Sequence, residues 1–348
     1  MPSTAEIMMT LLAVADGASF LRSNVTANTS NPNGLTFPGY YDSVASGRGI
    51  WKWNNALWAY ERHLARYKNT PVALAEVGVQ SGGSILMWET VLGPQCHMYG
   101  LDIAPATQKF QDSRTTITIG DQGDPAMWHN FFSTVTPALD VLIDDGGHTG
   151  PQMCTTTAEV WPHIKAGGIL AIEDIHGAKY LHEFFLNAAQ FYGHRTEQVS
   201  AIHIYPYLLM AQKAGVPAAV YDPTAVPGAV VSKQISTIPE ITDAVASGQP
   251  GTLIVLSNPS WGNMMNPAGL SYVFQTFNDM HDPPAWHCIP DGCCNTAASV
   301  CTSRTSNSPQ QQKIWGVHVL PSKVVIELAP SVPVIEAVRH GDVWLNYA

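Results

Sequence analysis

From residue 72 onward, short apolar runs alternate with longer amphipathic stretches, the pattern of a chain that alternates strand and helix. Val72–Val77, Met98–Ile103, Thr116–Gly120, Leu139–Ile143 and Ile169–Ile172 read as buried strands. Ser84–Val91, Met127–Val135 and Thr155–Ile164 read as the helices between them, the last closed by Lys165-Ala166-Gly167-Gly168, since glycine after a basic last turn is a usual helix stop. Tyr180–Phe191 predicts a further helix, and Val199–Tyr205 and Tyr207–Gln212 two more strands across Pro206. Ahead of this core, Trp53, Leu57, Tyr60 and Leu64 recur at helical spacing, with Trp51 and Trp58 beside them, which reads as a helix packed on the core, the alternative being that some of these aromatics wall a ligand pocket. Thr4–Val14 predicts a short helix, and Ser23–Gly39, rich in Asn, Ser, Gly and Pro, has loop or lid composition. In the tail, Ile238–Ser247 reads as a helix, Thr252–Leu256 as a strand and Trp315–Leu328 as strand-like, with a loop-rich stretch at 258–308. Ile202-His203-Ile204-Tyr205-Pro206 echoes Val317-His318-Val319-Leu320-Pro321, which reads as chance similarity between two β runs.

The strand ends carry the chemistry. Val72–Val77 runs into Gly78-Val79-Gln80-Ser81-Gly82-Gly83-Ser84, a turn whose glycines let a ligand approach the backbone closely. The next strand ends at Asp102, about where an acid binds ribose hydroxyls. The spacing departs from G-x-G-x-x-G, which disfavours a dinucleotide and favours an adenosyl ligand without a pyrophosphate; the bland alternative is a tight turn with a surface Asp. Two further strands end in Asp144-Asp145-Gly146-Gly147-His148 and Glu173-Asp174-Ile175-His176. Adjacent parallel strands bring these acids together, and Asp145, Glu173 and Asp174 repel unless solvated, protonated or neutralised by a cation such as Mg²⁺. A solvated acidic rim is the competing reading. His148, three residues after Asp145, is the candidate general base, and His176 the runner-up or a supporting group. Lys52 could contact substrate or cofactor, a solvated lysine being the simpler expectation.

Composition narrows the partners. The chain has 348 residues, 45% hydrophobic and 13% charged, and a formal net charge of -10 without a basic run, which argues against a nucleic-acid partner. No stretch is long and apolar enough to span a bilayer, and the expected location is cytoplasmic. Cys96 and Cys154 read as isolated buried thiols; Cys288, Cys293, Cys294 and Cys301 lie near His281 and His287 without a paired C-x-x-C, leaving disulfides, zinc or neither open.

Glu76-Val77-Gly78 through Ser84, Tyr99-Gly100-Leu101-Asp102, Gly120-Asp121-Gln122, Ile143 through His148 and Gly167 through Asp174 together resemble class I S-adenosylmethionine-dependent methyltransferases. More narrowly, they resemble the metal-dependent sugar O-methyltransferases of macrolide biosynthesis, the mycinamicin type, a group close to cephalosporin hydroxylase-like proteins. The resemblance covers roughly residues 50–213. It implies an α/β fold with a doubly wound Rossmann-like sheet, mostly parallel with an antiparallel strand near its end. The implied division is an N-terminal helical and lid region (1–70), a cofactor-binding core (71–213) and a loop-rich C-terminal extension (214–348). It implies that Glu76, Gly78 and Ser84 line the methionine and ribose side, Asp102 takes the ribose hydroxyls, Asp121 and Gln122 lie near the adenine, and Asp144 near the sulfonium end. It further implies Mg²⁺ on Asp145, Glu173 and Asp174, although an Asp is expected where Glu173 stands, and His148 as base from the shared D-x-x-H spacing. The expected activity is Mg-dependent O-methyl transfer to a hydroxyl of a sugar or other natural product, by a chain that associates with copies of itself and with neither nucleic acid nor membrane. A metal-independent N- or C-methyltransferase, another S-adenosylmethionine-binding protein on the same fold, and a non-catalytic scaffold remain the alternatives.

Overall fold

The computed structural model describes residues 34–175, 179–215, 229–234, 238–249, 251–257, 264–277, 300–303, 314–329 and 335–345. The expected helix Thr4–Val14, His176, Cys288, Cys293 and Cys294 lie outside the described residues. Helix α1 (Phe37–Ser43), strand β1 (Ile50–Trp53) and helix α2 (Asn54–Leu64) come first. The alternating core follows as β2 (Val72–Val77), α3 (Gly83–Leu92), β3 (Cys96–Asp102), β4 (Thr115–Ile119), α4 (Pro125–Thr134), β5 (Leu139–Asp144), α5 (Gly150–Val160) and β6 (Ile164–Ile175). A π turn (Leu181–Phe185) leads into α6 (Leu186–Gly193), then β7 (Val199–Tyr205) and β8 (Tyr207–Lys213). The described tail adds β9 (Ala229–Gln234), α7 (Ile238–Ser247), β10 (Thr252–Ser257), α8 (Pro267–Phe277), β11 (Val300–Ser303), β12 (Ile314–Leu320), β13 (Lys323–Leu328) and β14 (Ile335–His340).

Two boundaries differ from expectation for local reasons. Helix α5 starts at Gly150, earlier than Thr155, because the Thr149 side chain accepts from Gln152 N and caps it. It stops at Val160, where Trp161-Pro162 forms a 3₁₀ turn that proline does not continue as α-helix. Gly167 and Gly168 therefore lie inside β6, which begins at Ile164. Helix α8 sits within the stretch expected to be loop-rich; Leu270, Val273, Phe274 and Phe277 form its buried face.

One sheet of eleven strands runs β4-β3-β2-β5-β6-β8-β7-β12-β13-β10-β9. β4 through β6 are parallel, β8 is antiparallel to both β6 and β7, and β9 returns to a parallel pairing on β10. The chain lays β3 and β4 to one side of β2 and β5 and β6 to the other. The switch point thus falls between β2 and β5, where Val77 is paired with Asp144 and a crevice opens at the strand ends. The tail extends this sheet: β12 pairs with β7 through Val317–Ile204, His318–His203 and Val319–Ile202. The two segments that echo each other in sequence are neighbouring strands. A single buried cluster joins Leu142, Trp161 and Ile202 of the core to Ile254, Phe274 and Ile326 of the tail. A second sheet, β1-β14-β11, pairs the chain's first described strand with its last, with Trp51 opposite Arg339 and Lys52 opposite Val338.

Candidate active site

The floor of the crevice is built by backbone. Asp145 N donates to Val77 O at 3.1 Å, which closes the β5 turn on the β2 turn. Gly78 has φ +88°, and a Cβ there would lie 2.0 Å from the Asp145 carbonyl oxygen, so the approach admits only glycine. Gln80, His148 and Asp174 all adopt left-handed φ (49°, 52° and 57°), a costly conformation that clusters here at the mouths of β2, β5 and β6. A cavity of about 440 Å³ opens above them, within the range of small-molecule sites.

Of the expected cofactor residues, Gly78, Ser84, Asp102, Asp121 and Gln122 line this cavity. Asp102 is tied to its own loop, accepting from Gln80 N at 2.9 Å and Ala104 N at 2.8 Å. Glu76 and Asp144 lie just beneath the lining. Glu76 accepts from Ser84 Oγ at 2.6 Å. Gln122 Nε2 donates to both oxygens of Asp144 at 2.9 Å, and Gln122 Oε1 accepts from Gly147 N at 2.7 Å. The Asp144 carboxylate thus fixes the Gly146-Gly147 turn; burial pushes its pKa up, against Gln122 and Thr156.

The acidic residues do converge, around a cation of the protein's own. Lys52, whose side chain is 2% exposed, places Nζ 2.5 Å from Asp145 Oδ2, 2.7 Å from Glu173 Oε1 and 3.0 Å from Glu76 Oε1. It is a buried hub, not a solvated surface lysine. Burial alone would lower its pKa, but Asp145, Glu173 and Glu76 more than offset that and hold the ammonium well above its usual range. Tyr60 Oη donates to the same Glu173 oxygen at 2.5 Å, and Trp53 Nε1 to Asp174 Oδ1 at 2.5 Å. Burial, then Glu173, push the Asp145 carboxyl above the carboxylate range.

Asp145, His148 and Asp174 each turn one ligand atom towards the others, all within 4.8 Å. His148 Nε2 is 3.3 Å from Asp174 Oδ2 and 3.9 Å from Asp145 Oδ1. Its Nδ1 is buried with no hydrogen-bond partner among the described residues, while its carbonyl accepts from Tyr180 Oη at 2.5 Å. This donor set fits a hard divalent cation: one ammonium serves Glu76, Asp145 and Glu173, and Asp174 stands beside them against His148, so carboxylates outnumber the cation next to the cavity. Glu173 is separated from that set, being buried and held by Lys52 and Tyr60.

The sequence offered only half of the roof. Trp51 and Trp53 of β1, weighed there as pocket walls, line the cavity together with Ala337 and Arg339 of β14 and Trp344, which it did not single out. Trp344 packs flat on Gly49, where an added Cβ would lie 2.5 Å from the indole, and Leu345 N donates to Ser81 Oγ at 2.7 Å. Lys52 had one signal, a lone cation between two tryptophans in a buried strand. Arg339 had none, since only the β1–β14 pairing brings it here.

Residues 75–175 match the methyltransferase domain family. Demethylmacrocin O-methyltransferase of Streptomyces fradiae is 32% identical over 134 residues, 36% of this chain and 33% of the relative. Mycinamicin VI 2''-O-methyltransferase of Micromonospora griseorubida is 33% identical over 123 residues, 33% of this chain and 30% of the relative. The chain therefore spans about a third of the length of the curated relatives it matches. Among solved structures, the MycE methyltransferase from the mycinamycin biosynthetic pathway, in complex with Mg and SAH, is 27% identical with a TM-score of 0.40, covering 46% of this chain and 51% of that one. The stretch from the glycine turn through β6, with its acidic strand ends, is thus similar to the methyltransferase domain family and to the matching part of these two O-methyltransferases.

Proposed function

We propose that this chain transfers a methyl group from S-adenosylmethionine to a hydroxyl of a small-molecule acceptor, a sugar or other natural product, with the help of Mg²⁺. The carrying observation is the meeting, in one cavity, of the glycine turn and Asp102 with the Asp145-His148-Asp174 cluster. Gly78, Ser84 and Asp102 would hold the cofactor, with Asp121 and Gln122 towards its adenine. Asp145 and Asp174 hold the cation; Glu173 supports Asp145 through their shared Lys52. Bound there, a divalent cation would supply Lewis-acid activation of the acceptor hydroxyl. The chain's own residues do the rest. Lys52 and Tyr60 fix the carboxylates, the tryptophan roof excludes water, and placement of oxygen against methyl supplies most of the rate. His148 takes the hydroxyl proton at Nε2.

The closeness of His148 Nε2 to Asp174 favours one second reading, in which His148 is itself a ligand. His148→Ala separates the two. A base leaves Mg²⁺ affinity unchanged and loses turnover by about 10²–10⁴-fold, whereas a ligand loses affinity as well. The proposal as a whole is tested with methyl-labelled S-adenosylmethionine and a panel of hydroxylated metabolites, with and without chelator. Label must enter an O-methyl product only when Mg²⁺ is present; full transfer under chelation contradicts the cation's role, and N- or C-methyl products contradict the acceptor class.

A further inference from the structure

The cavity is rimmed by acids, yet one cation on its wall has nothing to bind. Among the described residues, Lys52 and Arg339 are the lysine and arginine that line it, and Lys52 is saturated by Glu76, Asp145 and Glu173. The Arg339 side chain makes no hydrogen bond or ion pair among the described residues, and its Nε is buried without a partner there. Its guanidinium carbon lies 4.8 Å from the ring centroids of both Trp51 and Trp344, which also line the cavity. The indoles engage the guanidinium charge, and its N–H donors have no acceptor among the described residues. The side chain is also held in place: Trp51 is its cross-strand partner, and Trp344 is seated on Gly49. A buried donor without an acceptor costs stability unless a ligand completes it.

We infer that Arg339 is an oxyanion seat, taking a carboxylate or phosphate group of a molecule bound in the cavity through the edge of its guanidinium. Planar, bidentate acceptance by such groups is what a pre-oriented arginine favours. Asp102, Asp121, Asp145 and Asp174 repel an anion from the rest of the wall, so the group has one place to go and its position orients the molecule. Two sources offer this chemistry: an acidic group on the acceptor, such as the carboxylate of a sugar acid, or the amino-acid carboxylate of the adenosyl cofactor. The inference rests on reading the cavity as the place of cofactor and acceptor. Its test is a binding measurement without turnover, so it can fail while methyl transfer stands, and the reverse.

The test is calorimetry in chelator-treated buffer. S-adenosylhomocysteine is titrated into wild type and Arg339→Gln, then glucuronate and glucose into each protein saturated with it. An acceptor seat predicts that glucuronate binds wild type about tenfold more tightly than glucose, that Arg339→Gln removes the preference, and that S-adenosylhomocysteine binds both proteins alike. A cofactor seat predicts about a tenfold loss of S-adenosylhomocysteine affinity in Arg339→Gln and no preference for glucuronate. Arg339→Lys, which keeps the charge without the planar fork, falls between the two proteins and serves if Arg339→Gln does not fold. Unchanged S-adenosylhomocysteine affinity together with no glucuronate preference in wild type overturns the inference.

Discussion

Lys52 sets the electrostatics of the site. Three carboxylates meet its ammonium within 3.0 Å, and Glu76, Asp145 and Glu173 are otherwise crowded in poor contact with water. Removing one partner of a buried ion network strands the others. Lys52→Met should therefore destabilise the fold by about 3–5 kcal/mol, read from denaturant unfolding. A loss below about 1 kcal/mol would mean that water reaches the cluster freely. The acids themselves were legible in the sequence, because parallel strands deliver their ends to one edge and the carboxylates stand at those ends. Their counter-ion was not, because Lys52 comes from a strand outside the repeating pattern and pairs across 93 residues to Asp145 and 121 to Glu173. The same limit applies to Asp144, whose hydrogen bonds to Gln122 anchor a turn beneath the cavity lining. The two neighbouring aspartates turn to different groups, Asp144 to Gln122 and Asp145 to Lys52.

At the scale of elements, the closure of β2 on β5 is the feature that shapes the crevice. Any side chain at Gly78 meets the Asp145 carbonyl, at a φ of +88° that disfavours L residues. Gly78→Ala should cost at least the ~1–3 kcal/mol of such backbone strain and should abolish S-adenosylhomocysteine binding, because the turn must open to relieve the clash. Calorimetry and thermal unfolding check both, and normal binding by the variant would show that the turn is not the cofactor's seat. Helix α5 offers a gentler probe. Thr149→Ala removes the cap next to His148 and should cost about 1 kcal/mol, measured by unfolding. Core strands were readable because each is apolar and bounded by turn residues. Helix α5 was misread because its cap lies in the acidic loop, where the same residues also serve the site. Helix α8 was missed because its amphipathic pattern is short and set among loop residues.

Across the whole molecule, the tail is joined to the core at a histidine seam. His203 and His318 face each other across β7 and β12 with their Nδ1 atoms 2.9 Å apart, and His63 Nε2 is 2.9 Å from Tyr205 Oη. Arg62 pairs with Glu327 through two hydrogen bonds at 2.6 and 2.7 Å, and Arg66 adds further positive charge nearby. Burial holds His63 and His203 well below the usual histidine range, reinforced by His318, Arg62 and Arg66. The folded state thus keeps both neutral, while the unfolded chain protonates them near their ordinary pKa of about 6.5. Stability is fully present above that pH and is lost as pH falls below it, with a slope approaching ~2.7 kcal/mol per unit for the two sites. Glu327, held down to about 2 chiefly by Arg62 against the effect of burial, adds a second loss below the ordinary glutamate range. His203→Phe should flatten the first limb in unfolding experiments between about pH 6.5 and 5; an unchanged slope would place the titration elsewhere. The pairing of these strands was not legible in the sequence, where the likeness of the two segments read as chance, since β pairing at this separation leaves no local signal.

The whole account turns on one cavity holding an adenosyl cofactor and a divalent cation side by side, served by different acids. The direct measurement is calorimetric titration of S-adenosylhomocysteine, then of Mg²⁺, into wild type, Asp102→Asn and Asp145→Asn. Wild type should bind both. Asp102→Asn should lose about tenfold or more in S-adenosylhomocysteine affinity, and Asp145→Asn should bind S-adenosylhomocysteine normally while losing Mg²⁺. Wild-type protein that binds no S-adenosylhomocysteine, or Mg²⁺ affinity that survives intact in Asp145→Asn, would contradict it.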